Sequence, residues 1–186
     1  MNRLHLKFVM TPLAASAAML VSTANATDPI VAVANIRQIM QQGINASTME
    51  VWDVGNNAMN EEGGIDPEQM TPESWARLET AAEGLKASAL EMYNAEAFLA
   101  ASPEDMPEQD APGVVSMEDV QRFIDADHDA FRAAAKGLAD HSDLLIAAAR
   151  NRDASAAGDL VAQLDQVCEV CHAQFWYPEQ NVLARR

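Results

Sequence analysis

Beyond residue 26, no stretch of this chain alternates apolar and polar side chains as a half-buried strand does. Apolar residues recur instead at steps of three, four and seven, and Ala, Leu, Glu, Gln and Met outweigh the β-branched residues, which favours helix throughout. Four segments carry such a stripe. Segment A runs from about Pro29 to Met59 with Asp28 as N-cap, and its stripe is Val33, Ile36, Met40, Ile44, Val51, Val54 and Ala58. Segment B opens at Thr71-Pro72 and carries Trp75, Leu78, Ala82, Leu85, Ala89, Met92 and Leu99. Segment C starts near Ser116, with Asp119 three residues on in a capping-box-like arrangement, and reaches about Arg150 through Val120, Phe123, Ala130, Ala134, Leu138, Leu145 and Ala148. Segment D starts near Asp153, holds Leu160, Leu164, Val167, Cys171 and Phe175, and stops at Pro178. Each stripe is a narrow seam of the kind that closes a bundle core. The expected fold is all-α, an antiparallel four-helix bundle.

Two acidic stretches connect these segments. Residues 61–72 contain Gly63, Gly64 and a turn opened by Asp66-Pro67, while 101–115 holds Pro103, Pro107 and Pro112 and is expected to run over the surface. The first 26 residues follow a different grammar. Arg3, His5 and Lys7 precede an apolar run from Phe8 to Val21, and Ala24-Asn25-Ala26 supplies a small-residue cleavage site. That pattern reads as a secretory signal peptide, too short and too interrupted by Pro12 for a membrane span. Residues 27–186 then form one domain, and export points to the periplasm.

Charge narrows the partners. The chain has 28 acidic against 12 basic residues, a net −16, and loss of Arg3 and Lys7 takes the exported form to −18. Nucleic acid and anionic membrane surfaces are disfavoured, because both require clustered Lys and Arg. A charged protein partner is expected to be basic where it touches.

The chemistry is concentrated in Cys168-Glu169-Val170-Cys171-His172, which contains the only two cysteines. C-x-x-C-H is the attachment signature of c-type haem. On a helix Cys168 and Cys171 lie one turn apart on one side, so two thiols can meet the two vinyl groups of one porphyrin. His172, four residues from Cys168, leaves the helix on that side and can ligate the iron as proximal ligand. Zinc would need a fourth ligand, a thioredoxin-like pair expects a βαβ context, and a disulfide within one helix closes almost no loop.

An exported helical chain with this motif on its last helix resembles the class II c-type cytochromes, the cytochrome c′ family. Cys168 to Phe175 matches the family's C-x-x-C-H followed by an aromatic residue, and Arg37-Gln38-Ile39-Met40 is similar to its Arg-Gln pair ahead of a haem-facing distal residue. The step from Arg37-Gln38 to Met40 is one residue shorter than the family's, and Phe175-Trp176-Tyr177 replaces the basic residue often found after its haem histidine. The resemblance implies one covalent haem c near the C-terminal helix. It also implies a homodimer through the first two helices, for which Met49, Trp52 and Met59 are candidate contacts.

The distal side of the haem decides function. In one branch of the family a methionine ligates the iron and the protein transfers electrons; in the other the distal face is open and binds NO or CO. Met40 sits in the middle of its stripe, with Gly43 one turn on where a porphyrin can approach, and is the candidate sixth ligand; core filling is its alternative role. Met49 falls off that stripe beside Asn45 and Trp52, and His128 and His141 read as structural or surface residues. Arg37 is a candidate partner for a haem propionate, against a plain surface ion pair. Trp176 and Tyr177 either cover a porphyrin edge or plug the end of the bundle. The expectation is an electron-transfer protein rather than an enzyme, with a basic redox partner. The alternative is a five-coordinate gas-binding cytochrome, and peroxide turnover ranks last because segment A offers no distal acid–base group.

Overall fold

The structure is a computed structural model that describes residues 32–105 and 115–177. The leader, the Asp28 cap, Pro178 and the acidic middle of the crossover (106–114) lie outside the described residues. The chain is mostly helical, and the all-α class follows from the elements themselves: α1 (Ile36–Ile39), α2 (Asn45–Asn57), α3 (Pro72–Asn94), α4 (Met117–Ala126), α5 (His128–Asn151) and α6 (Ala154–Phe175). A single wide turn, Met40–Ile44, joins α1 to α2 as a π-helix, and the Asn45 amide donates back to the Met40 carbonyl. Such turns widen the helix locally and occur mostly at functional sites.

Helix starts are set by side-chain caps. Thr71 Oγ1 accepts from the Ser74 amide at 3.1 Å, Ser116 Oγ from Asp119 at 3.0 Å and Asp153 Oδ1 from Ala156 at 3.1 Å, all at the positions the sequence marks. Two boundaries differ from expectation. Segment A becomes helical only at Ile36, capped by Asn35, because Val33–Asn35 forms strand β1. It pairs in parallel with β2 (Ala97–Leu99), so Val33 and Leu99 leave their helical stripes and are exposed. Segment C is two helices, broken at Asp127, whose backbone leaves the helical conformation so that its carboxylate can accept from the Ala130 amide at 2.9 Å.

Packing closes a ring: α2 lies on α3, α3 on α5, α5 on α6 and α6 back against α2. Leu78, Leu85, Ile124, Leu145, Leu164 and Val51 are fully buried at its centre. Gly43 and Gly84 let the first helix and α3 approach closely, since a Cβ at either would collide with Ser88 or Ser47 across the contact. Gly43 therefore makes room for a helix and not for a porphyrin. Among the described residues no helix is long and apolar enough to cross a membrane.

The α5–α6 connection is only two residues long and turns on Arg152, at φ 53°. That left-handed conformation costs a side chain about 1–2 kcal/mol and costs glycine little. Arg152→Gly is expected to raise unfolding stability by up to about 1 kcal/mol, part of the relief being offset by the greater freedom of glycine in the unfolded chain. A urea titration reads this as a higher midpoint with unchanged slope.

Candidate haem site

Helix α6 presents one half-buried face at its C-terminal end, where Cys168, Cys171 and His172 succeed one another. All three line one apolar slot with about 620 Å³ of free space, part of it open to solvent. The opposite wall comes from the first helix, where Ile36, Met40 and Ile44 stand four residues apart. Steps of four drift around an α-helix, and the wide turn from Met40 takes up that drift. Met92, Ile124, Leu138 and Phe131 close the sides, with Ala134 and Ala135 leaving room at the α5 face. No Asp, Glu, Lys or Arg is among the described residues that line the slot.

An aromatic chain braces one wall. The Phe131 ring stands edge-on between Phe98 at 4.9 Å and Phe175 at 5.2 Å. Arg132 holds the Phe98 end in place, its guanidinium 4.9 Å from that ring and donating to the Ala95 carbonyl at 2.9 Å. Trp176 adds to the slot beside His172, their rings 6.2 Å apart.

Burial sets the protonation states. It pushes the Cys171 thiol up to about 12 and raises that of Cys168, with the Asp165 charge adding to the second. Desolvation lowers the His172 pKa against the opposing pull of Glu169 and Asp165, so the imidazole keeps its free lone pair. The two cysteines are unbridged thiols. A residue set of two thiols, one neutral imidazole and a facing thioether on apolar walls fits the chemistry of a covalently held haem. Among the described residues no group of three or more His, Cys, Asp and Glu side chains is placed to hold a metal ion.

The other sequence candidates are placed as follows. Arg37 is half-buried but lines neither the slot nor the groove beside it, and its backbone amide donates to the Ala100 carbonyl at 2.9 Å. His128 rests its ring on Phe98, 5.2 Å away, while His141 is buried with Nε2 2.9 Å from the Leu160 carbonyl, tying α5 to α6. Neither lines the slot. Met49 and Trp52 face a groove between α2 and α6, which they share with Tyr177. Sequence reasoning missed Phe131 and Phe98: a lone aromatic off a stripe gives no sign that it braces a wall.

Phe131 is 2% exposed and is the hinge of that brace. Phe131→Ala is expected to cost about 3–5 kcal/mol of unfolding free energy, more than a leucine at the slot edge, measured by denaturant titration. An unchanged midpoint would show that the aromatic chain does not hold the slot. No protein-family model, no curated protein and no solved structure matches this chain, so its function rests on the site's own chemistry.

Proposed function

We infer that this chain is an exported monohaem c-type cytochrome that carries electrons and performs no substrate chemistry of its own. One observation carries the reading: Cys168, Cys171 and His172 share a single uncharged slot with Met40 on the facing helix. Cys168 and Cys171 would hold the haem through thioether bonds, each S–H adding across one vinyl group. His172 would ligate the iron from α6 and Met40 from the first helix. A haem held there supplies a one-electron Fe(III)/Fe(II) couple, with methionine raising its potential.

The chain's own residues do the rest. Burial keeps His172 neutral, the apolar walls exclude water, and two ligands from packed helices limit the rearrangement between oxidation states. The ring of α2, α3, α5 and α6, with α5 and α6 joined by two residues, supports the antiparallel four-helix bundle with the haem near its C-terminal helix. Residues 1–26 would direct export to the periplasm, where c-type haem is attached. Class II cytochromes remain the family that this reading favours.

A second reading has one observation in its favour. Met40 is only half-buried and faces the groove as well as the slot, with Ile36 and Ile44 on either side. Turned toward the groove, it would leave an apolar lid over an open iron that binds NO or CO.

Absorption spectra of the oxidised, reduced and CO-treated protein, made with haem-maturation machinery, separate the two. The electron carrier gives a low-spin spectrum with the far-red methionine–iron band and no CO response, and Met40→Ala opens it to CO. A high-spin spectrum that shifts with CO in the wild type overturns methionine ligation. Replacing both Cys168 and Cys171 by Ser is expected to release the haem to acid–acetone extraction, whereas His128→Ala and His141→Ala leave the spectrum unaltered. Wild-type protein without haem absorbance, under conditions that load a control cytochrome, would defeat the whole reading.

A further inference from the structure

The slot adjoins a groove that is open to solvent. Met40, Ile44, Cys168 and His172 line both the slot and this groove between α2 and α6, which holds about 720 Å³ of free space. Toward the surface the groove is flanked by Met49, 62% exposed, and by the half-buried Trp52 and Tyr177. Two exposed carboxylates from α6, Asp165 and Glu169, border it, and no Lys or Arg is among the described residues that line it. Thr48, 6% exposed, closes its floor.

We propose that this groove is where a basic redox protein docks and exchanges an electron with the haem. The inference rests on the electron-carrier reading and adds the face and the chemistry of the partner. One electron passes between the iron and a one-electron centre of the partner; one is oxidised as the other is reduced, and no bond is made or broken. The groove suits this because residues that would hold the haem come to the surface there, and electron transfer weakens steeply with distance. An apolar centre of Met49 and Trp52 beside the α6 carboxylates of Asp165 and Glu169 matches a partner with lysines next to an apolar patch. Methionine adapts to such a surface without a fixed shape. A second copy of this chain matches poorly. Its net charge is −16, and its only lysines beyond residue 26, Lys86 and Lys136, are already paired with Asp143 and Asp140.

The test uses haem-loaded, reduced protein and two small oxidants of opposite charge, tris(phenanthroline)cobalt(III) and ferricyanide, mixed at low ionic strength. Asp165→Asn combined with Glu169→Gln should slow oxidation by the cobalt cation about threefold or more and speed oxidation by ferricyanide. Met49→Lys, at an exposed position that tolerates it, should act in the same directions. Glu62→Gln with Glu68→Gln, the same charge change in the connection after α2, should alter both rates less than about twofold, and about 0.5 M salt should erase the differences. An oligolysine peptide should slow the cobalt reaction of the wild type and leave that of the Asp165/Glu169 variant unchanged. Rates that change in the same direction with both oxidants would report a shifted potential, and they overturn the proposal. Unchanged rates overturn it too. A wild-type dimer that Met49→Lys splits would give the groove to a second copy. Haem absorbance is read before mixing, so failure of the electron-carrier reading is seen separately.

Discussion

Burying the end of α6 is the constraint that the remaining helices answer to. Cys168, Cys171 and His172 occupy about one turn, and none of the three can lie against a flat neighbour, because the face they share is a slot rather than a packed surface. A slot left between helices has to be propped open by something that does not collapse into it. The props here are rings and bends. Phe131 stands edge-on between Phe98 and Phe175, the small residues Ala134 and Ala135 leave the space at the α5 face unfilled, and the wide turn at Met40–Ile44 keeps three side chains of the first helix on one wall. The core further along the helices, around Leu78, Leu85, Leu145 and Leu164, is filled in the ordinary way and fixes the spacing that the slot inherits.

The irregular elements make sense as supports of that same region. β1 precedes the first helix immediately, and its pairing with β2 fixes the start of the helix that delivers Ile36 and Met40. The β2 segment places Phe98 against Phe131, and Gln121 of α4 holds it by accepting from the Ala100 amide at 2.7 Å and donating to the Phe98 carbonyl at 3.2 Å. The break at Asp127 lets α4 tilt away from the line of α5, so that Ile124 and Phe131 can face the slot from two helices. A straight segment C would supply only one such wall.

Legibility follows the range of the signal. Caps are local, and Thr71, Ser116 and Asp153 each act where their side chains announce them. The C-x-x-C-H spacing is local as well, and its two cysteines and histidine share one half-buried face at the C-terminal end of α6. The strand pair is not local: Val33–Asn35 and Ala97–Leu99 are too short to show alternation, and each becomes a strand only because the other is beside it. Gly43 illustrates a different limit. Its missing side chain was legible, but whether a helix or a porphyrin fills the space depends on Ser88, which lies on another segment.

Electrostatics divides the surface in a way that composition alone does not reveal. Three cations link helices: Arg77 of α3 reaches Glu50 and Asp53 of α2 at 2.6 Å each, Arg150 of α5 reaches Glu79 and Glu83 of α3, and Lys86 of α3 reaches Asp143 of α5. These are exposed pairs, and each contributes little by itself. Their placement matters more than their strength, because all of them lie along the α2–α3 and α3–α5 contacts. Among the described residues no cation pairs with the α6 face, where Asp165 has none beside it and Glu169 meets only the Tyr177 hydroxyl. Tyr177 is held in its neutral form by that hydrogen bond first and by burial second, its pKa raised to about 12, so it adds no charge of its own. Among the described residues the acidic charge is thereby left without a cation where the slot approaches the surface, and screening by salt weakens it there.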